Sequence, residues 1–460
     1  MLQTPRNESE SLAPRTPLDT GTMVRYGLGQ TGAQVFRDTP AALLPVYMTT
    51  VLGVPAWLAG LVILLPKLWV IICDPLVGAW SDRRESSIGR IPFLVGGAIA
   101  TSIGFVLLFN LPAMGSPYVA AAATSAVFLL AMTAFSAFSV PYLAVATTLS
   151  ADPHERTKLL AWRIAFTTLG VVLGIGLAQP TVVWLGGGRQ AWSVMSVIFA
   201  ALCLVSMLGC ALGLRSRLHR PAAAKAPVPF TRMLAAAWRN RAFRQLTAIH
   251  LLQTVGQACS YTVVALVFVY LVDRIELLTA YVLIMSLAGL VTQPLWLRIS
   301  RRIGKISLFV YLCLGWCAVT LTWLGIDWGD GVSLGAVSGK DVLILLRGAV
   351  IGVTNAGFIL LVTSLFTDTV HLGEHESGIE GGYAGLWSAC EKLSFALGPV
   401  ISGAVLSLCG FVSSTAGPAQ QSPAALFGVV LNYSLIPVGF FLASLLLVPG
   451  LARAIRGDYP

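Results

Sequence analysis

Apolar runs of about twenty residues alternate with short polar connections along nearly the whole chain, each long enough to cross a hydrocarbon layer of roughly 30 Å as a helix. They fall near 25–52, 56–80, 92–113, 117–149, 160–186, 190–214, 242–272, 278–298, 305–326, 341–370, 381–411 and 425–450. Lipid offers backbone groups no partner, so each run has to pair its own N–H and C=O groups as a helix. The pattern predicts an all-α membrane protein with twelve transmembrane helices.

The connections carry the orientation. Lys and Arg crowd into 82–91, 150–160, 215–244 and 298–305, while the alternate connections hold little beyond Arg189, Arg274 and Lys340. Residues 1–24 are polar, with Arg6, Glu8, Glu10, Arg15 and Asp19, and have no apolar signal core. The positive-inside rule then places both termini in the cytoplasm, in the inner (plasma) membrane.

Composition agrees. The 460 residues are 56% hydrophobic and 11% charged, against roughly 25% charged for soluble domains. The net charge of +10 reads as orientation, because no soluble basic domain is present to hold nucleic acid. Cys73, Cys203, Cys210, Cys259, Cys313, Cys317, Cys390 and Cys409 all fall in or at the ends of predicted spans, so neither disulfides nor a metal site are expected. No cofactor is called for, and nothing resembling an enzyme's nucleophile with its base, metal set or phosphate loop is present.

The long connection contains "RSRLHRPAAAKAPVPFTRM" and divides the spans six and six. The expected organisation is a cytoplasmic tail (1–24), a six-helix bundle (25–214), a cytoplasmic linker (215–241), a second six-helix bundle (242–450) and a tail (451–460). "DPLVGAWSDRRESSIGRIPFLV" after the second span is echoed by "QPLWLRISRRIGKISLFVY" after the eighth, each with a proline, then basic residues, then Gly and a basic residue. Gly170 and Gly174 are spaced for close helix pairing in the fifth span.

Gly78, Asp82, Arg83, Gly89 and Arg90 resemble the loop signature between spans two and three of the major facilitator superfamily. "CDPLVG", "FSVPYLAVATTLSADPHERTKLLAWR" and "YAGLWSACEKLSFALGP" resemble, within it, the glycoside/pentoside/hexuronide:cation symporters. The resemblance runs from about Tyr26 to the last span. It implies the major facilitator fold, a small-molecule substrate and a coupling cation, with the substrate site between the halves near mid-membrane.

Ionisable groups at depth cost on the order of 3 kcal/mol each on insertion scales, so they should face a cavity or a partner. The candidates are Arg37, Asp38, Lys67, Asp74, Arg163, Arg347, Glu391 and Lys392. Lys67 and Asp74 are seven residues apart and share a helix face about 10 Å apart. A partner that moves, such as Lys392, would switch a proton on or off Asp74 during transport. The bland alternative is that Asp74 and Lys392 merely latch the halves together.

By the resemblance, Asp74 is one carboxylate of the cation site and Lys392 the lysine beside it. The family's further carboxylates are replaced by Val70 and Ser139. Asp74 with Ser136 and Ser139 is a thin oxygen set for sodium, which favours a proton. Arg163 matches the sugar-site arginine, and a guanidinium's five donors suit hydroxyls or a carboxylate. Snorkelling to the surface is its alternative. The sugar-site aspartate aligns with Gln34 and the tryptophan with Leu143. Asp38, one turn on, would replace the first, and Tyr142 or Trp387 would supply an aromatic platform.

Asp82, Arg83 and Arg90 are expected to mark the cytoplasmic surface and to form a gate, with Pro75 relaxing the helix just before it. "DTVHLGEHESGIEGG" offers His371, Glu374, His375, Glu376 and Glu380, but its glycines leave no helical register for a metal, so it reads as a solvated loop. Arg347 is placed no further than facing the outer cavity. The function expected is proton-coupled, or failing that sodium-coupled, symport of a sugar, glycoside or sugar acid by a monomer in the lipid bilayer. The rivals are an exporter or lysolipid/amphiphile carrier of the same fold, and a non-transporting receptor or scaffold.

Overall fold

The computed structural model describes residues 18–149, 153–217, 235, 237–334, 337–373 and 380–456. Asp19 opens α1 (Thr20–Thr50) by accepting the Thr22 N–H, which satisfies one of the free donors of the first turn. α2 (Ala56–Ile88), α3 (Ile91–Leu108), α4 (Pro117–Leu149) and α5 (Pro153–Val171) follow. α5 passes through a π-helical turn at Val172–Leu177 into Ala178–Trp184, and α6 (Gly188–Gly213) completes the N-terminal half.

The C-terminal half begins at Asn240, which caps α7 (Arg241–Val267) by accepting the Phe243 N–H. α8 (Glu276–Ile303), α9 (Lys305–Leu321), α10 (Gly339–Gly373), α11 (Glu380–Leu408), α12 (Pro423–Tyr433) and α13 (Leu435–Leu445) complete it. A short amphipathic α14 (Val448–Arg456) lies on α7, and a hairpin of Ser333–Leu334 with Val337–Ser338 joins α9 to α10.

Eleven of the described spans are long and apolar enough to cross a membrane. The remaining one of the expected twelve is α1. It has 31 residues but carries Arg25, Gln30, Gln34, Arg37 and Asp38. Its polarity is tolerated because α1 is the most enclosed helix: it packs on α5 and α6 and crosses to α7. Most of its residues are buried.

The polar loop expected over 82–91 is shorter than predicted. α2 runs on to Ile88, since a helix makes its own hydrogen bonds and needs no apolar residues once outside the hydrocarbon. The turn comes at Gly89 (φ 70°), and at the equivalent point after α8 it comes at Gly304 (φ 86°), both in backbone that glycine adopts without strain. Each is followed by a basic residue and a new helix, so the echo between the halves is structural. Loop residues 374–379, and the side chains of His371 and Glu380, lie outside the described residues, as does most of the 215–241 linker.

Close backbone approach joins the helices. A Cβ on Gly170 would stand 2.6 Å from the Gln34 Cβ, and one on Gly174 3.1 Å from Thr39 Oγ1, so the two glycines seat α5 on α1 as expected. Across the halves, a Cβ on Gly60 would stand 2.4 Å from the Pro399 carbonyl oxygen and one on Gly403 2.3 Å from that of Ala56. These contacts hold α2 along α11. Thr279 Oγ1 donates to Gly176 O (2.6 Å), and the N–H groups of Ser414 and Gly417 donate to Thr49 O (2.7 Å) and Thr50 O (3.0 Å). This seal lies at the end of the bundle remote from the termini.

Candidate functional site

Below the seal, a cavity of about 370 Å³ separates the halves. α1, α2, α4 and α5 form one wall, α7 and α11 the other. Its described lining includes four cations, Arg37, Lys67, Arg163 and Lys392, and three carboxylates, Asp38, Asp74 and Glu391.

Gln30, Gln34 and Asp38 recur every fourth residue and so stand in a row on one face of α1. Arg163 Nε on α5 donates to Gln30 Oε1 (2.9 Å), Gln30 Nε2 to Gln34 Oε1 (3.2 Å) and Gln34 Nε2 to Asp38 Oδ2 (2.7 Å). Arginine can only donate and an ionised carboxylate can only accept, so the two ends fix the orientation of both amides. Arg37 Nε lies 3.6 Å from the other Asp38 oxygen. Arg163 is therefore turned inward, away from the surface it would reach by snorkelling.

The second cluster bridges the halves. Lys392 Nζ on α11 pairs with Asp74 Oδ2 on α2. Asp74 Oδ1 is buried and has no hydrogen-bond partner among the described residues. Lys67 lines the same cavity but is not the partner of Asp74. It donates to the Phe395 carbonyl (3.1 Å) and lies 5.6 Å from the centre of that ring.

Ser139, Val70 and Leu143 line the cavity. Ser136, one turn before Ser139, is fully buried and outside the lining. Tyr142 contributes to the wall, but its ring is stacked between Tyr26 (4.7 Å) and Phe138 (5.4 Å) and its hydroxyl donates to Tyr26 O (2.9 Å). That ring is packing, 1% exposed, and offers no open face.

Trp387 does not reach the cavity. It stacks on His250 at 4.2 Å and 9° and packs against Phe366, because its position on α11 turns it into the C-terminal half. Arg347 is likewise elsewhere: it donates to Thr322 Oγ1 (3.1 Å) and Gly325 O (2.7 Å) and lies over the Trp323 ring, tying α10 to the end of α9. Of the expected gate, Arg83 is exposed, Arg90 is buried at the start of α3, and the Asp82 side chain lies outside the described residues.

Gln30, Tyr261, Phe395 and Glu391 line the cavity without having been assigned a role from the sequence. Gln30 was findable, one turn before Gln34. The aromatic pair was not, since nothing local separates a lining ring from a packing one.

Two helical halves around a charged central chamber are the build of a major facilitator transporter. The chain belongs to the MFS/sugar transport protein family, whose model matches residues 25–449. It is 24% identical to an isoprimeverose transporter of Lactiplantibacillus pentosus, over 96% of this chain and 91% of the relative. It is 26% identical to a glucuronide carrier protein homolog of Escherichia coli, over 93% and 91%. It is 25% identical to a putative glycoside/cation symporter of the same bacterium, over 92% and 90%. Among solved structures, a variant of the nucleoside transporter NupG superposes with a TM-score of 0.66 at 15% identity, covering 94% of this chain and 99% of that one.

Proposed function

We propose that the chain moves a sugar, glycoside or sugar acid across the membrane by alternating access, coupled to protons, with Asp74 as the coupling group. One observation carries this reading: a single cavity holds a hydrogen-bonded polar row on α1 and α5 and, facing it, an ion pair that spans the two halves. The row supplies donors and acceptors for hydroxyls. Four cations against three carboxylates favour a neutral or acidic sugar over a cationic substrate.

The ion pair supports coupling because α2 and α11 belong to different halves, and halves that rock must part them. A carboxylate losing its ammonium needs another cation in the lipid interior, and a proton is the smallest. Sodium wants several hard oxygens, but beside Asp74 stand Val70 and the Lys392 ammonium. The names of the relatives, a glycoside/cation symporter among them, support coupling to a cation of some kind. With the basic connections taken as cytoplasmic, the end sealed by the α2–α11 contacts is the extracellular one.

The test is uptake of labelled glycosides and glucuronides into liposomes carrying the purified protein. An acid-outside gradient is expected to drive accumulation that a protonophore abolishes and a sodium gradient does not replace. Uptake indifferent to the pH gradient removes the coupling part; no uptake of any sugar removes the carrier.

A further inference from the structure

The last span, α13, gives way to α14, which lies on the start of α7. Val448 and Leu451 of α14 are buried in one apolar cluster with Leu246 and Ile249 of α7, and Ile455 packs against it. Those positions recur at three and four residues, so they form one stripe of the helix, and Arg453 and Arg456 stay exposed outside it. A Cβ on Gly450 would stand 3.2 Å from Gln245 Oε1, which marks where α14 crosses α7. A short helix that is apolar on one face and basic on another, at the end of a span, lies in the plane of the membrane surface.

The crossing gathers cations. Arg241 stands one turn before Gln245 on α7 with Arg244 beside it, and Arg453 stands one turn after Gly450 on α14. All three arginines are exposed. Arg244 lies over the exposed ring of Trp238, 5.5 Å from its centre. Elsewhere at this end basic side chains meet acids, Arg217 pairing with Asp19 and Lys305 with Asp368. No ion pair among the described residues includes Arg244 or Arg453. Arg453 Nε donates to Pro449 O (3.4 Å), which uses one of its five donors. An apolar strip leads up to the same crossing: Leu442 and Leu446, one turn apart just before α14, are exposed, Leu446 at 81%.

We infer that the crossing of α14 and α7 binds an anionic phospholipid, with its phosphate at Arg244 and Arg453, Trp238 at the headgroup level and an acyl chain along Leu442 and Leu446. Guanidinium forks match phosphate oxygens, and tryptophan favours the boundary between headgroups and hydrocarbon. The leucine strip selects a lipid over a soluble anion, since free phosphate gains nothing from it. A phosphate at this point also supplies the negative charge that the protein itself does not set against Arg244 and Arg453. The site lies outside the central cavity, so it stands whatever the carrier moves.

The experiment is native mass spectrometry of the full chain in detergent, titrated with phosphatidylglycerol and with phosphatidylcholine of the same acyl chains. Phosphatidylglycerol is expected to bind about ten-fold or more tighter, the scale that two arginines at an anionic headgroup supply. The double variant Arg244→Gln with Arg453→Gln should erase that preference and leave phosphatidylcholine within about two-fold. Arg301→Gln with Arg302→Gln removes the same charge from the exposed end of α8 and should leave the preference within about two-fold. Soluble glycerol phosphate should not displace the lipid, and a melting curve for each variant reports folding. Equal binding of the two lipids overturns the site. So does an equal loss in both double variants, which would reduce it to the general attraction of a basic surface, and so does displacement by glycerol phosphate, which would make it a site for soluble anions.

Discussion

Asp74 and Lys392, 318 residues apart in the chain, form an ion pair between α2 and α11 inside the central cavity. Lys67, seven residues from Asp74, goes instead to the Phe395 carbonyl on the same facing helix. Both lysines thus tie the halves together, one through a titratable group and one through the backbone. That difference makes them separable by mutation.

Asp74→Asn keeps the shape and removes the charge. Exchange of a labelled glycoside across liposomes should stay within about three-fold of the parent, while accumulation driven by a pH gradient falls to background. Gradient-driven accumulation that survives the change would take Asp74 out of coupling.

Lys392→Ala strands the Asp74 carboxylate. The pair is partly wet, with side chains 33% and 18% exposed, so a loss of about 2 kcal/mol is expected, below the 3–5 of a fully buried pair. Adding Asp74→Asn to Lys392→Ala should restore most of it. Melting temperatures of the four proteins in detergent make the comparison.

Arg163→Lys keeps a cation but not the planar fork that reaches Gln30. Sugar affinity should fall by about ten-fold, close to 1.4 kcal/mol, and by more in Arg163→Ala. Calorimetric titration decides; unchanged affinity in both variants would return Arg163 to a surface role.

Gly403→Leu attacks the seal. Any side chain there meets the Ala56 carbonyl, and overpacking of this kind costs about 1–3 kcal/mol. The sealed end should open more often. A cysteine introduced at Ser407, whose hydroxyl accepts the Trp57 N–H, should react faster with a membrane-impermeant thiol reagent than it does in the parent.

Trp387→Phe separates packing from binding. Its ring stacks on His250 outside the cavity, so glycoside affinity should not move, whereas Trp387→Ala should lower stability by about 3 kcal/mol. A drop in affinity for Trp387→Phe with the melting point unchanged would reinstate it as a sugar platform.

Much of the site was legible because hydropathy makes a charge at depth conspicuous. Asp38, Lys67, Asp74, Arg163 and Lys392 stand out from apolar surroundings, and all of them line one cavity. Periodicity also exposed Gln34 and Asp38 as neighbours on a face. Aromatic residues gave no such contrast. Tyr142 and Trp387 read alike in sequence, yet one forms part of the cavity wall with its ring stacked away and the other lies in a different part of the bundle.

Residue order alone marked which segments are apolar and long enough to cross lipid and that they are helical, because apolar run length and backbone pairing are local properties. Tertiary packing settled partnership: that Lys392 meets Asp74 while Lys67 meets a carbonyl, and that Arg347 serves α9. Those outcomes depend on the rotation of each helix about its axis and on the glycine contacts that bring α2 to α11, and no window of sequence holds both helices at once.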